Sequence, residues 1–190
     1  MKILLIVPVF NEEQNIEKCI NSILKQTIKV EQITIVNDNS NDLTESIIQK
    51  SFESNDTINY LKKDDSDQVP KPGKKIIKAF RYGLLNSIKD YDLIGKFDGD
   101  LILPSDYFEK LVIEFSNNPN LGLASGVIAI NKEKKWIVEN MYDKNHVRGG
   151  IKLYSKKAFN KIDGLIDSIG WDTLDEMKLL YYNYEIKVKH

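Results

Sequence analysis

Short runs rich in β-branched residues alternate, as far as Phe115, with stretches whose apolar residues return at helical spacing. That alternation leaves few folds open. Ile3–Val7, Ile33–Val36, Ile58–Leu61 and Leu93–Phe97 read as strands. Between them, Ile16, Cys19, Ile20, Ile23 and Leu24 fall on one helix face, and Leu43, Ile47, Ile48 and Phe52 on a second, with Ser40, Asn41 and Asp42 as candidate caps. Ile77, Phe80, Leu84 and Ile88 predict a third helix; Phe108, Leu111, Val112 and Phe115, opened by Pro104, predict a fourth. The pattern implies an α/β protein with a mostly parallel sheet covered on both faces. Ligands of such sheets bind at the carboxyl ends of the strands.

The second half is less regular. Leu121–Ile130 predicts one long strand, Ile151–Tyr154 a short one, and Glu185–Lys189 a terminal one. Leu174, Met177, Leu180 and Tyr181 predict the apolar face of a last helix, while Lys132–His146 shows no usable period. Lys62–Lys75, with Asp64, Asp65, Asp67, Pro70, Pro72 and Gly73, reads as a loop. No boundary breaks the 190 residues, so a single domain is expected.

Composition excludes some functions. A net charge of −1, with acids beside most lysines, gives no basic face for nucleic acid. The one cysteine, Cys19, falls on the first helix's apolar stripe and cannot form an intrachain disulfide, which favours a reducing cytoplasm. Ile3–Val7 is closed by Pro8 and is too short for a signal-peptide core or a membrane span. Membrane association would then come from surface contacts, peripheral at the cytoplasmic face, or from sequence beyond this chain.

Three polar segments follow predicted strands. Phe97-Asp98-Gly99-Asp100 sets two carboxylates around a glycine that permits a tight turn. Hard oxygen ligands of this kind suit Mg²⁺ or Mn²⁺ together with substrate phosphates. A plain Asp-Gly turn would explain the pair less well, because the apolar Leu-Ile-Leu-Pro follows it. Asn37-Asp38-Asn39-Ser40-Asn41-Asp42 ends the second strand; capping accounts for its last three residues but does not require Asp38. Pro8-Val9-Phe10-Asn11-Glu12-Glu13 ends the first, with acids suited to a helix N-terminus.

In this order, the three segments resemble the inverting family-2 glycosyltransferases of the GT-A fold. The family's Pro-x-Tyr/Phe-Asn-Glu stands here as Pro8-Val9-Phe10-Asn11-Glu12, its Asp-Asp-Gly-Ser-x-Asp as Asn37-Asp38-Asn39-Ser40-Asn41-Asp42, and its Asp-x-Asp as Asp98-Gly99-Asp100. The resemblance implies a nucleotide-binding half over about residues 1–100 and an acceptor half over about 101–190; since the chain stops at the end of a predicted strand, a natural protein that continues beyond it is expected. It implies a UDP- or GDP-sugar donor, a glycan, lipid-linked or other hydroxyl acceptor, and a place in cell-surface polysaccharide or glycolipid synthesis. Pro8, Val9, Phe10 and Glu12 would line the nucleotide pocket, Asp38 would meet the base, Asp98 with Gly99 would lie by ribose and metal, and Asp100 would bind the metal. Two departures stand out: Asn37 replaces the usual first acid, and Asn39 the usual glycine, whose left-handed backbone asparagine tolerates.

The same resemblance places a general base at Asp172 in Gly170-Trp171-Asp172-Thr173-Leu174-Asp175-Glu176-Met177-Lys178, counting back from Lys178, with Asp175 and Glu176 as fallbacks. Trp171 stands where the family carries Glu, and helix capping is the competing role for Asp172. Arg148-Gly149-Gly150 resembles the segment beneath the donor sugar, Lys74 or Lys75 a diphosphate contact at a helix start, and His190 a histidine near the metal. Trp136 and Tyr142 lie near the expected acceptor cleft, and His146 has no evident partner. A nucleotidyltransferase would carry a glycine-rich basic loop after the first strand, and a dinucleotide-binding oxidoreductase would carry G-x-G-x-x-G there; Pro8-Val9-Phe10-Asn11 is neither. A nucleotide-sugar-binding module without turnover is the remaining alternative.

Overall fold

The computed structural model describes residues 1–63, 74–132, 135–139 and 146–189. Strands β1 (Ile3–Val9), β2 (Gln32–Asn37), β3 (Ile58–Lys62) and β4 (Leu93–Phe97) alternate with helices α1 (Ile16–Leu24), α2 (Thr44–Phe52), α3 (Lys74–Leu85) and α4 (Tyr107–Asn117). There follow β5 (Leu121–Gly126), β6 (Ala129–Lys132), β7 (Lys135–Val138), β8 (Ile151–Ser155), α5 (Lys156–Lys161), α6 (Trp171–Tyr181) and β9 (Glu185–Lys189). The main sheet runs β3-β2-β1-β4-β8-β5-β9, and β6 and β7 pair as a separate hairpin.

All seven residues of β1 are buried, because this central strand is covered on both faces. Ile3, Leu5 and Val7 pack with Ile16, Cys19 and Ile20 of α1, Phe52 of α2 and Phe108 of α4. Leu4 and Ile6 face the other way, onto Phe80 of α3, Phe159 of α5 and Trp171 of α6. Gly83 lets α3 settle close on the sheet; a Cβ there would lie 2.7 Å from both Ile6 Cγ2 and Val36 Cγ2. Cys19 is buried core as expected, and burial pushes its thiol up to about 12.

Strands β1 to β4 are mutually parallel, and β5 and β9 run the same way. Only β8 is reversed: it pairs antiparallel with both β4 and β5. This reversal positions the site, because it sets the start of β8 against the end of β4, with Phe97 opposite Ile151.

Several expectations need correction. The long strand over Leu121–Ile130 is two, β5 and β6, with a break at residues 127–128. Gly126 ends β5 against Tyr107, whose hydroxyl accepts its main-chain N–H at 3.0 Å. Helix α5 went unseen, being six residues long with only Ala158 and Phe159 buried. The last helix turns a different face inward: Trp171, Asp175 and Leu179 are buried, whereas Met177, Leu180 and Tyr181 are exposed. Helix α2 has Leu43 at its cap position, not a polar residue. Asp42, one residue earlier, does accept the first N–H of the helix, that of Thr44, at 2.9 Å. Ser40 and Asp42 also accept N–H groups of Asn11 and Glu13 at 3.0 and 3.2 Å, tying the loop after β2 to the loop after β1. Most of the predicted loop (64–73), Tyr142 and His190 lie outside the described residues.

Candidate active site

The carboxyl ends of β1, β2 and β4 meet at one sheet edge and form a cleft of about 340 Å³. Pro8, Val9, Phe10, Glu12, Asp38, Lys75, Asp98, Gly99 and Asp100 line it, together with Ile76 and Ala79 of α3. Parallel pairing sets Val9 beside Asn37, and Asp38 N–H donates to Val9 C=O at 2.9 Å. Asn39 has φ of +61°, the left-handed conformation that lets asparagine stand for glycine here. Asn37 is fully buried and turned to structural use. Its side-chain oxygen accepts Ser40 N–H at 2.9 Å and its amide donates to Tyr60 Oη at 3.0 Å.

Each acid of the cleft has a distinct setting. Asp38 is nearly buried, with Lys63 Nζ 3.3 Å from Oδ1. Asp98 is paired through Oδ1 with Lys96, a fully buried lysine of β4 that burial shifts toward its neutral form. Asp100 is exposed, and its carboxylate takes no hydrogen bond or ion pair from the described residues. Burial raises the Glu12 carboxyl above its ordinary range; Asp100 and Asp98 add to this, while a hydrogen bond from Asn15 opposes it. Three carboxylates thus share a region of negative potential, which suits a cation.

Among the described residues, no group of three or more His, Cys, Asp or Glu side chains could hold a metal ion unaided. A Mg²⁺ or Mn²⁺ bound through one or two carboxylates plus substrate phosphates needs no such group. Asp100, with the oxygen of Asp98 that Lys96 leaves open, fits that mode. Lys75 lies at the cleft with its Nζ 5.8 Å from the centre of the Phe10 ring.

The reversed strand β8 brings the second set of residues alongside. Asp98 N–H donates to Gly150 C=O at 2.8 Å. A Cβ on Gly150 would lie 2.5 Å from Asp98 Oδ2, and one on Gly149 3.2 Å from Asp172 Oδ2. The glycine pair therefore lies against both carboxylates: a side chain at Gly150 would displace Asp98, and one at Gly149 would press on Trp171 and Asp172. Gly150→Ala should push the Asp98 carboxylate aside and weaken Mn²⁺-dependent UDP or GDP binding on the order of tenfold, about 1.4 kcal/mol. Titration calorimetry checks this, and wild-type affinity would show that the position of Asp98 does not matter. The Arg148 guanidinium makes a two-pronged pair with Glu139 at 2.5 and 3.0 Å.

Asp172 is half-buried in the first turn of α6, and it is not the cap. Gly170 holds that position in a left-handed conformation, φ +74°. The Asp172 carboxylate takes no hydrogen bond or ion pair from the described residues, so it is free for a ligand. The fallbacks are differently engaged. Asp175 is sealed, accepting two 2.8 Å hydrogen bonds from Lys152 Nζ and one from Tyr154 Oη. Glu176 accepts Val147 N–H at 2.9 Å and meets His146 Nδ1 at 3.1 Å, giving that histidine the partner its sequence did not reveal. Both carboxylates are thus engaged within the protein, Asp175 fully buried and Glu176 partly exposed.

Two buried lysines that sequence reasoning passed over complete the arrangement. Lys96 and Lys152 lie 5.4 and 5.6 Å from the Trp171 ring centre. Lys152 also donates to Asp172 C=O at 2.5 Å. A lysine inside an otherwise apolar strand must find a carboxylate, and that signal was legible at both positions.

The model of glycosyl transferase family 2 matches residues 4–168, and the chain belongs to that family. Asp172 lies beyond the matched segment. The glycosyltransferase GlyA of Streptococcus pneumoniae is 31% identical over 124 residues, covering 64% of this chain and 16% of GlyA. Two GT-A glycosyltransferases share the fold. TarS of S. aureus, solved with UDP-GlcNAc, superposes with a TM-score of 0.73 at 16% identity, over 100% of this chain and 59% of that one. The mannosyltransferase PcManGT from Pyrobaculum calidifontis, solved with GDP-Man and Mn²⁺, gives 0.72 at 16% identity, over 97% and 53%. The chain thus spans well under two thirds of each of these proteins. No described helix is long and apolar enough to cross a membrane.

Proposed function

We propose that this chain is the donor-binding and catalytic part of a metal-dependent, inverting glycosyltransferase that moves a sugar from a UDP- or GDP-sugar to an acceptor hydroxyl, in the synthesis of surface polysaccharide or glycolipid. The observation that carries the reading is the convergence of Glu12, Asp38, Asp98 and Asp100 on one cleft, with an unengaged Asp172 across the glycine pair. Residues 1–100 form the nucleotide half, in which Asp38 receives the base and Lys75 meets the diphosphate. Asp98 and Asp100 would hold Mg²⁺ or Mn²⁺, which when bound neutralises charge on the departing nucleoside diphosphate. Asp172 takes the proton of the acceptor hydroxyl as its oxygen attacks the anomeric carbon. The sugar–phosphate bond breaks on the opposite face, so configuration inverts and no covalent enzyme intermediate forms.

A thermal-shift screen of nucleoside diphosphates and nucleotide sugars, with and without Mn²⁺, tests the donor assignment. UDP or GDP should raise the melting temperature only with metal, and Asp100→Ala should abolish that rise. Tight metal-dependent binding retained by Asp100→Ala would sink the metal assignment. Binding without transfer or donor hydrolysis would point to a non-catalytic module.

A further inference from the structure

Asp100 lines not one hollow but two. On its other side lies a space of about 370 Å³, walled by Leu101, Leu103, Tyr107, Ile128, Ile130 and Trp136, within the range of about 300–1,000 Å³ typical of small-molecule sites. We propose that this hollow takes the hydrocarbon chain of a lipid-linked acceptor, holding its sugar end at Asp100. The inference rests on the reading of Asp100 as part of the donor site.

The chemistry of the walls selects the occupant. A glycan would bring hydroxyl groups that need partners, and burying them unpaired is costly. The apolar walls supply few partners: Tyr107 Oη already accepts Gly126 N–H, which leaves its O–H to donate. A hydrocarbon chain makes no such demand. Asp106, Lys110 and Lys189 also line the hollow, but their charges are already paired, Lys110 with Asp106 at 2.8 Å and Lys189 with Glu114 at 2.7 Å.

The β6–β7 hairpin argues for the same occupant. Ile130, Trp136, Ile137 and Val138 are 45%, 65%, 49% and 54% exposed, and Ile102 across the hollow 58%. An isolated two-stranded hairpin gains little stability from leaving such residues in water. Lys132 and Lys135 stand at its turn, also exposed. A tryptophan among aliphatic side chains, with exposed lysines close by, matches the boundary between lipid headgroups and hydrocarbon. An acceptor drawn from a membrane would enter the hollow from that side.

Octyl β-glucoside and methyl β-glucoside share a sugar and differ only in the alkyl chain, which makes them the probes. Below its micelle concentration, octyl glucoside should shift the tryptophan emission to shorter wavelength saturably, and methyl glucoside should not. The shift should vanish in Trp136→Phe, which leaves only the buried Trp171. Ile130→Glu and Ile102→Glu, at exposed positions, should weaken it on the order of tenfold, with melting temperature and Mn²⁺-dependent UDP binding unchanged. Equal responses to the two glucosides would overturn the proposal, as would an undiminished response in both glutamate variants or light scattering that shows the hairpin buried in a dimer. Failure of UDP binding with an intact alkyl response would instead count against the donor-site reading.

Discussion

In Asp172→Asn, sugar transfer is expected to fall by about 10²–10⁴-fold, the usual contribution of a positioned general base, while affinity for the nucleotide with Mn²⁺ stays at the wild-type level. Asparagine preserves the shape of the side chain and removes only its ability to accept a proton. The carboxylate has no structural partner among the described residues, and Gly170 already caps the helix. The loss should therefore fall on turnover, with little change in melting temperature. Single-turnover kinetics with preloaded donor isolates the chemical step. Undiminished turnover would remove Asp172 from the mechanism. Asp175 and Glu176 would not inherit the role, since Lys152, Tyr154, Val147 and His146 occupy them.

A second large effect is expected on stability. Lys152 is completely buried in β8, and its ammonium joins Asp175, Glu176 and the Asp172 carbonyl. Lys152→Met would strand a carboxylate in the core, at a cost of about 3–5 kcal/mol. Burial already raises the Asp175 carboxyl above its ordinary range, against the pull of Lys152. Without the lysine it should rise further and be protonated in the native state at pH values where the unfolded chain has released that proton. Native Asp175 then binds more protons than the unfolded chain, so stability falls as pH rises through that interval. The deficit of Lys152→Met should accordingly be small in acid and grow toward neutral pH, as denaturant titrations at several pH values would reveal. Lys152→Met combined with Asp175→Leu should recover most of the loss. If the double variant were no more stable than the single one, the unpaired charge would not be its cause.

Legibility differed between the halves of the chain for a physical reason. Strands β1, β2 and β4 are buried on both faces, so β1 reads as an unbroken apolar run and β2 and β4 as mainly apolar ones, interrupted by Thr34 and Lys96. The edge strand β3 is only partly buried. The strands' carboxyl ends follow from the parallel arrangement, and the family resemblance adds that Glu12, Asp38, Asp98 and Asp100 share one cleft, which they line together. In α6 the apolar pattern misled, because the buried face is chosen by the ion pair of Asp175 with Lys152 and by Trp171. Charge overrode hydrophobic spacing there. The break after Gly126 likewise depends on Tyr107, a residue of another element.

The order of strands and helices, the acidic tips of β1, β2 and β4, and the left-handed turn at Asn39 were determined by local sequence, since each depends on side chains near in the chain. The approach of Gly149 and Gly150 to Asp98 and Asp172, the burial of the cross-strand neighbours Lys96 and Lys152 beside Trp171, and the apolar hollow beyond Asp100 were decided only by tertiary structure. They depend on the reversal of β8 between β4 and β5 and on the hairpin's position over α4, pairings between segments distant in sequence that no local pattern specifies.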